Sequence, residues 1–189
     1  MNIVIFGGSF NPIHIGHMII AETVSQLPDV DEVWIMVSPQ NPLKSQSGLA
    51  SEEDRLRLAE KALERVNGVK VSDFEFTLSR PSYTYKTLCE LKRLYPQHEF
   101  RILIGSDNWD LFSKWRNSEE ILRQFGVIVY QRPDCRSSGP FPDNVKILDG
   151  VPLILLSSTY IRNKIKEGKD VRFMIPDVIY EDTLRIYGK

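Results

Sequence analysis

Ile3-Val4-Ile5-Phe6-Gly7-Gly8-Ser9-Phe10-Asn11-Pro12-Ile13-His14-Ile15-Gly16-His17 decides how the chain is read. Its first four residues are a continuous apolar, largely β-branched run. Such a run suits a strand covered on both faces, as in a parallel sheet. The run stops at Gly7-Gly8, where backbone without side chains can come close to a ligand. The two histidines are three residues apart, so a helix beginning near His14 projects both from its first turn. A helix N-terminus favours anions. Two imidazoles beside such a site can hydrogen-bond phosphoryl oxygens, and an anionic neighbour would raise their pKa above about 6.5.

Other readings of this segment carry less. Two histidines at this spacing also suit a metal, but His98 is the one further histidine and no acid lies nearby in sequence, so no metal ligand is assigned. The glycines do not form G-x-G-x-x-G, so hydride chemistry gains no support.

Outward from this stretch, strands and helices alternate. The pattern predicts a helix from Met18 to about Leu27 and a strand over Val33–Val37. Residues 39–50 hold Pro, Asn, Gln, Ser and Gly and read as a surface loop. Ser51 caps a helix running to Val66, with Glu52, Glu53 and Asp54 in its first turn and Leu56, Ala59, Leu63 and Val66 on one face. Val69–Val71 is a short strand with Phe74-Glu75-Phe76 alternating beside it. Ser82 caps a helix that ends at Pro96. Phe100–Ile104 is a strand halting at Gly105. Ser118 caps a helix to Gln124, and Val127–Tyr130, Val145–Leu148 and Leu153–Leu156 are the remaining strands. Ser158 or Thr159 caps a helix to Lys166, closed by Gly168, and Pro176 opens a terminal helix to Tyr187. This order implies an α/β fold, a doubly wound parallel sheet, over residues 1–189 as one domain. In such folds ligands lie beyond the carboxyl ends of the strands at a topological switch point. The segments after Phe6, Val37 and Ile104, and the helix start at Ser158, are therefore the places to look.

Composition sets the outer limits. The 189 residues carry 24 Lys and Arg against 25 Asp and Glu, a net charge of −1, with 42% apolar residues. That excludes a disordered tail and disfavours a basic nucleic-acid-coating protein. Cys89 and Cys135 are too few for a disulfide framework or a zinc site, which fits a reducing cytoplasm. No apolar run approaches the roughly 18 residues of a membrane span, and the start shows no signal-peptide pattern.

Gly7-Gly8-Ser9-Phe10-Asn11-Pro12-x-His14-x-Gly16-His17 resembles the signature of the H-x-G-H nucleotidyltransferases, and in particular that of the nicotinate-mononucleotide adenylyltransferases. Ser157-Ser158-Thr159-Tyr160-Ile161-Arg162 resembles that family's S-S-T-x-I-R segment, which starts a helix holding the triphosphate. Ser82-Tyr83-Thr84 resembles its S-Y-T motif, and Gly105-Ser106-Asp107 followed by Trp115 its G-x-D…W pattern. One departure stands out: where many relatives have Pro-Pro-His-Lys, this chain has Pro39-Gln40-Asn41-Pro42-Leu43-Lys44, keeping the lysine without the histidine.

The resemblance implies a Rossmann-like nucleotidyltransferase fold and transfer of AMP from ATP to nicotinate mononucleotide, giving deamido-NAD and pyrophosphate in NAD biosynthesis. It implies that His14, His17, Lys44 and Arg162 stabilise the phosphates. ATP would lie against Gly7, Gly8, Ser9, Phe10, His17, Gly105, Asp107, Ser158, Thr159 and Arg162. The pyridine nucleotide would meet backbone donors at Tyr83 and Thr84, the ring of Trp115, Asp107 and Arg132. Mg²⁺ would arrive through phosphates and water. ATP and the mononucleotide are the expected partners, without nucleic acid or membrane, and a homo-oligomer is left open. The sister reactions, with nicotinamide mononucleotide or phosphopantetheine as the acceptor, or with CMP as the transferred group, are the alternatives. S-Y-T and Trp115 weigh against a phosphopantetheine acceptor and against CMP transfer. An inactive nucleotide-sensing module is disfavoured by the intact His14, His17, Ser158 and Arg162.

Overall fold

A computed structural model describes residues 1–39, 48–137, 139–148, 150–152 and 154–188. Six parallel strands form one sheet: β1 (Asn2–Gly8), β2 (Glu32–Val37), β3 (Val69–Ser72), β4 (Glu99–Gly105), β5 (Val127–Tyr130) and β6 (Val145–Leu148). Their spatial order is β3-β2-β1-β4-β5-β6. The chain thus winds outward from β1 in one direction, then returns to β1's other edge and winds the opposite way. β1 and β4 flank the switch point, with Ile5 opposite Ile102.

Strand periodicity sorts the side chains onto two faces. Val4 and Phe6 join Leu103 and Ile128 on the face covered by helices α1 (Ile15–Ser25), α2 (Glu52–Leu63), α6 (Ser158–Lys166) and α7 (Tyr180–Tyr187). Ile3 and Ile5 join Phe100, Ile102, Val127 and Val129 on the opposite face, against helices α3 (Thr84–Leu94) and α5 (Ser118–Gln124). Each fully buried aliphatic side chain contributes roughly 1.5–3 kcal/mol, so both cores are substantial. A four-residue helix, α4 (Ser106–Trp109), follows β4 directly.

Several local expectations shift. The first helix begins at Ile15, just after His14, rather than at Met18. Phe74–Thr77 is a 3₁₀ turn, not a strand edge, because Ser72 Oγ accepts the Phe74 N–H and bends the backbone away. Ser82 is no cap: it is buried, and Tyr83 is the residue that precedes the helix. Asn117, in a left-handed conformation at φ 60°, precedes α5 in place of Ser118. Residues 154–156 are not a strand, since Ile154 and Leu155 are exposed while the chain crosses from the sheet toward α6; Leu153 lies outside the described residues. Pro176 opens a 3₁₀ turn, Asp177–Ile179, which leads into α7. The buried face of α2 is Arg55, Leu58, Ala59, Ala62 and Leu63, rotated from the expected stripe.

Candidate active site

The segment leaving β1 is held almost wholly through its backbone. Gly7 and Gly8 pair with Met36 and Val37, and a side chain at Gly7 would meet open space. Phe10 follows at φ 42°, a left-handed conformation that a bulky residue keeps only when its surroundings impose it. Its ring is buried and packs edge-on against Phe6 and His17, with centroids 5.7 and 5.0 Å away. The phenyl group therefore helps to set the position of the His17 ring.

Beneath this segment lies Arg55, fully buried on α2. Its Nε donates to the Ala50 carbonyl at 3.1 Å, and NH1 donates to Ser9 and Ser38 carbonyls at 2.7 and 2.8 Å. NH2 donates to the Pro39 carbonyl at 2.9 Å. One guanidinium thus ties together the loops leaving β1 and β2 and the entry to α2. Burial lowers its pKa, but an arginine stays charged. Asn11 is a second junction. Its Nδ2 donates to Gly48 O at 2.8 Å, and its Oδ1 accepts Ala50 N–H at 3.1 Å and the Tyr187 hydroxyl at 2.7 Å.

The two histidines stack, with centroids 3.7 Å apart. The His14 N–H donates to His17 Nδ1 at 3.3 Å, which places the proton of a neutral His17 ring on Nε2. Gly16 is explained by the same geometry: a Cβ there would press to 3.1 Å from Cε1 and Nδ1 of His14. The protein's own surroundings push the His14 pKa the opposite way from an anionic neighbour. The ring is buried, and burial, followed by the positive charge of Arg132, lowers its pKa to about 4. At neutral pH it is an uncharged ring.

The distant end motif arrives at this segment. Ser157, not Ser158 or Thr159, caps α6, accepting the Tyr160 N–H at 3.1 Å. Ser158 Oγ instead donates to Pro12 O at 2.9 Å. Arg162 donates from NH1 to Asn11 O at 2.7 Å and from NH2 to Thr159 Oγ1 at 3.2 Å. Residues some 150 positions apart are thus joined main chain to side chain. Lys44, the expected loop cation, lies outside the described residues.

Across the switch point, Gly105 ends β4, and any side chain there would collide with Asp107 Oδ1 and crowd the Tyr130 ring. Asp107 faces Arg132 NH1 at 3.8 Å. Ser106 anchors the 131–137 loop: its hydroxyl donates to Cys135 O and accepts the Arg132 N–H. Arg132 stands close enough for its charge to act on His14, so these two expected site residues do come together.

The S-Y-T segment and Trp115 form a second group. Buried Glu75 accepts hydrogen bonds from Ser82 Oγ at 3.2 Å and Thr87 Oγ1 at 2.8 Å, bracketing the start of α3. Arg116, next in sequence to Trp115, lies over the Tyr83 ring at 5.0 Å. Trp115 is half-buried against Phe112, 5.4 Å between centroids. Among the described residues no group of three or more His, Cys, Asp or Glu side chains is placed to hold a metal, and no helix is long and apolar enough to cross a membrane.

Sequence reasoning missed Arg55, Asn11, Tyr187 and Glu75. Arg55 had one available signal: it shares helical spacing with Leu58, Ala59 and Ala62, so it falls on an apolar face.

The cytidylyltransferase-like family profile matches residues 5–164. A Bacteroides fragilis protein named probable nicotinate-nucleotide adenylyltransferase is 46% identical over 178 residues, covering 94% of this chain and 88% of the relative. A Cytophaga hutchinsonii protein of the same name is 44% identical, covering 96% and 94%. Among solved structures, the Plasmodium falciparum nicotinic acid mononucleotide adenylyltransferase complexed with NaAD superposes with TM-score 0.81 at 21% identity, covering 98% of each chain, which speaks to the fold.

Proposed function

The chain belongs to the cytidylyltransferase-like family, among its nicotinate-nucleotide adenylyltransferases, and from that premise we propose how its residues divide the work. The reaction joins the AMP part of ATP to nicotinate mononucleotide, releasing pyrophosphate. A phosphate oxygen of the mononucleotide attacks the α-phosphorus of ATP, and the bond to the bridging oxygen of pyrophosphate breaks. The nucleophile is already an anion, so no protein base is needed. Positioning and charge stabilisation can supply the rate.

The observation that carries this assignment is the junction of the two end motifs: Arg162 on Asn11 O and Ser158 on Pro12 O. It sets an always-charged guanidinium beside the histidine-bearing turn, where the leaving pyrophosphate would take up charge. His14 and His17 serve as N–H donors toward the α- and β-phosphate oxygens. Gly7 and Gly8 admit the phosphates, and Lys44 adds a cation from its loop. Gly105 and Asp107 take the nucleotide ribose, and Arg132 stands beside Asp107. Backbone donors at Tyr83 and Thr84 receive the pyridine carboxylate, and Trp115 covers the ring. The donor set around the histidines is cationic and imidazole-rich, which does not fit a protein-built Mg²⁺ cage. Mg²⁺ would therefore arrive on ATP, held through phosphates and water.

A pyrophosphate-release assay with ATP and a panel of acceptors tests the reading. Nicotinate mononucleotide is expected to turn over, with nicotinamide mononucleotide and phosphopantetheine far behind, because donors set for a carboxylate meet an amide NH₂ poorly. His17→Ala is expected to lower kcat by about 10²–10³-fold, the scale of losing one preorganised donor. Wild-type turnover in that variant would remove His17 from the phosphate site.

A further inference from the structure

We infer that Tyr187, at the end of the last helix, is a positioning residue for the nucleotide-phosphate site, acting through Asn11 on Arg162. The inference rests on the phosphate-site reading above. Nothing in the motifs marks Tyr187, which lies 176 positions from Asn11. Its ring is buried in the core that α7 shares with α1, α2 and α6, and its hydroxyl donates to Asn11 Oδ1 at 2.7 Å. Burial pushes the phenol's pKa up despite the opposing pull of Arg55 and Arg162, so the hydroxyl remains a donor across the physiological range.

Asn11 is where four segments meet. Its amide joins α7 to Gly48 and Ala50 at the entry to α2, while its own carbonyl receives Arg162 from α6. With the amide held on three sides, its peptide plane has little freedom. The carbonyl that orients the Arg162 guanidinium is thereby fixed. Removing the phenol oxygen leaves the helix packed but releases one of these restraints. The guanidinium then samples positions off the phosphate axis. Misplacement of this kind affects rate without requiring loss of fold.

The test is steady-state kinetics of the full chain with both substrates varied. Tyr187→Phe keeps the ring and is expected to lower kcat/KM for ATP about fivefold, the scale of one neutral hydrogen bond. KM for nicotinate mononucleotide should stay unchanged. In an Asn11→Ala background the same substitution should have no further effect, since its target is gone. If Asn11→Ala does not fold, Asn11→Asp takes its place; it keeps the acceptor, and Tyr187→Phe should there retain its full effect. A merely structural role predicts lowered melting temperature with unaltered kcat/KM, and that result would overturn the inference. So would equal shifts in the KM of both substrates, or a full-sized effect in Asn11→Ala. Failure of the underlying site reading looks different: His17→Ala would then turn over like the wild type, whatever Tyr187→Phe does.

Discussion

The two halves of the proposed site are held by different chemistry. At the phosphate end, side chains clamp main-chain carbonyls: Arg55 grips Ala50, Ser9, Ser38 and Pro39, Arg162 grips Asn11, and Ser158 grips Pro12. At the acceptor end, side chains hold side chains: Glu75 with Ser82 and Thr87, Arg116 over Tyr83, Phe112 against Trp115. A clamp on carbonyls fixes the path of the backbone whatever side chains the loop carries. A web of side chains can be altered one member at a time. The first arrangement suits a triphosphate that never changes; the second suits a pocket whose occupant distinguishes one acceptor from another.

The sharpest way to break this contrast is to cut the largest clamp. Arg55→Met keeps much of the side-chain volume but leaves four carbonyls without their donor. Each buried carbonyl left without its donor costs about 1–3 kcal/mol, so a total of several kcal/mol is expected. A stability loss of that size, read as a lower urea midpoint with unchanged slope, is expected. A loss below about 1 kcal/mol would mean the loops hold their path without the guanidinium, and the contrast would lapse.

Arg55 also shows where sequence reading stops. The winding of the sheet was legible because Ile3–Phe6, Val33–Val37 and Val127–Tyr130 are apolar runs bounded by turn residues, and those signals are local. His14, His17 and the 157–162 segment were legible because their residues stand close together in sequence. The junctions were not. Asn11 meets Tyr187, and Arg55 meets Ser9, only after the sheet has formed. The lowered pKa of His14 likewise depends on burial and on Arg132, more than a hundred residues away. The run up to Leu156 misled for the converse reason: at Ile154–Leu156 an apolar run looks like a strand, but a strand also needs a neighbour.

How closed the phosphate end is can be read from pH. His14 is held near pKa 4 in the folded chain against about 6.5 when unfolded. Between those values the unfolded chain binds the extra proton, so stability falls as pH falls. Going from pH 7 to pH 5 this residue alone is expected to remove about 2 kcal/mol, and above pH 7 it contributes no slope. His14→Asn should flatten that part of a urea-derived stability profile. An identical slope in the variant would show a ring open to water, and a looser phosphate end than the geometry describes.

The smallest effect is expected where the restraints are side chains. Trp115 is half-buried, tilted by 47° against Phe112, and its Nε1–H is buried without a hydrogen-bond partner among the described residues. Its remaining value is the exposed ring surface, and stacking of that kind is worth roughly 0.5–1.5 kcal/mol. Trp115→Ala should therefore raise KM for nicotinate mononucleotide about fivefold while KM for ATP holds. Trp115→Phe keeps an aromatic face and should recover most of the loss. Were both substrates to weaken equally, the tryptophan would be supporting the 106–117 segment and, through Ser106 and Arg132, the histidines. The two halves of the proposed site would then be one mechanical unit, because a side chain assigned to the acceptor would be setting the geometry of the phosphates.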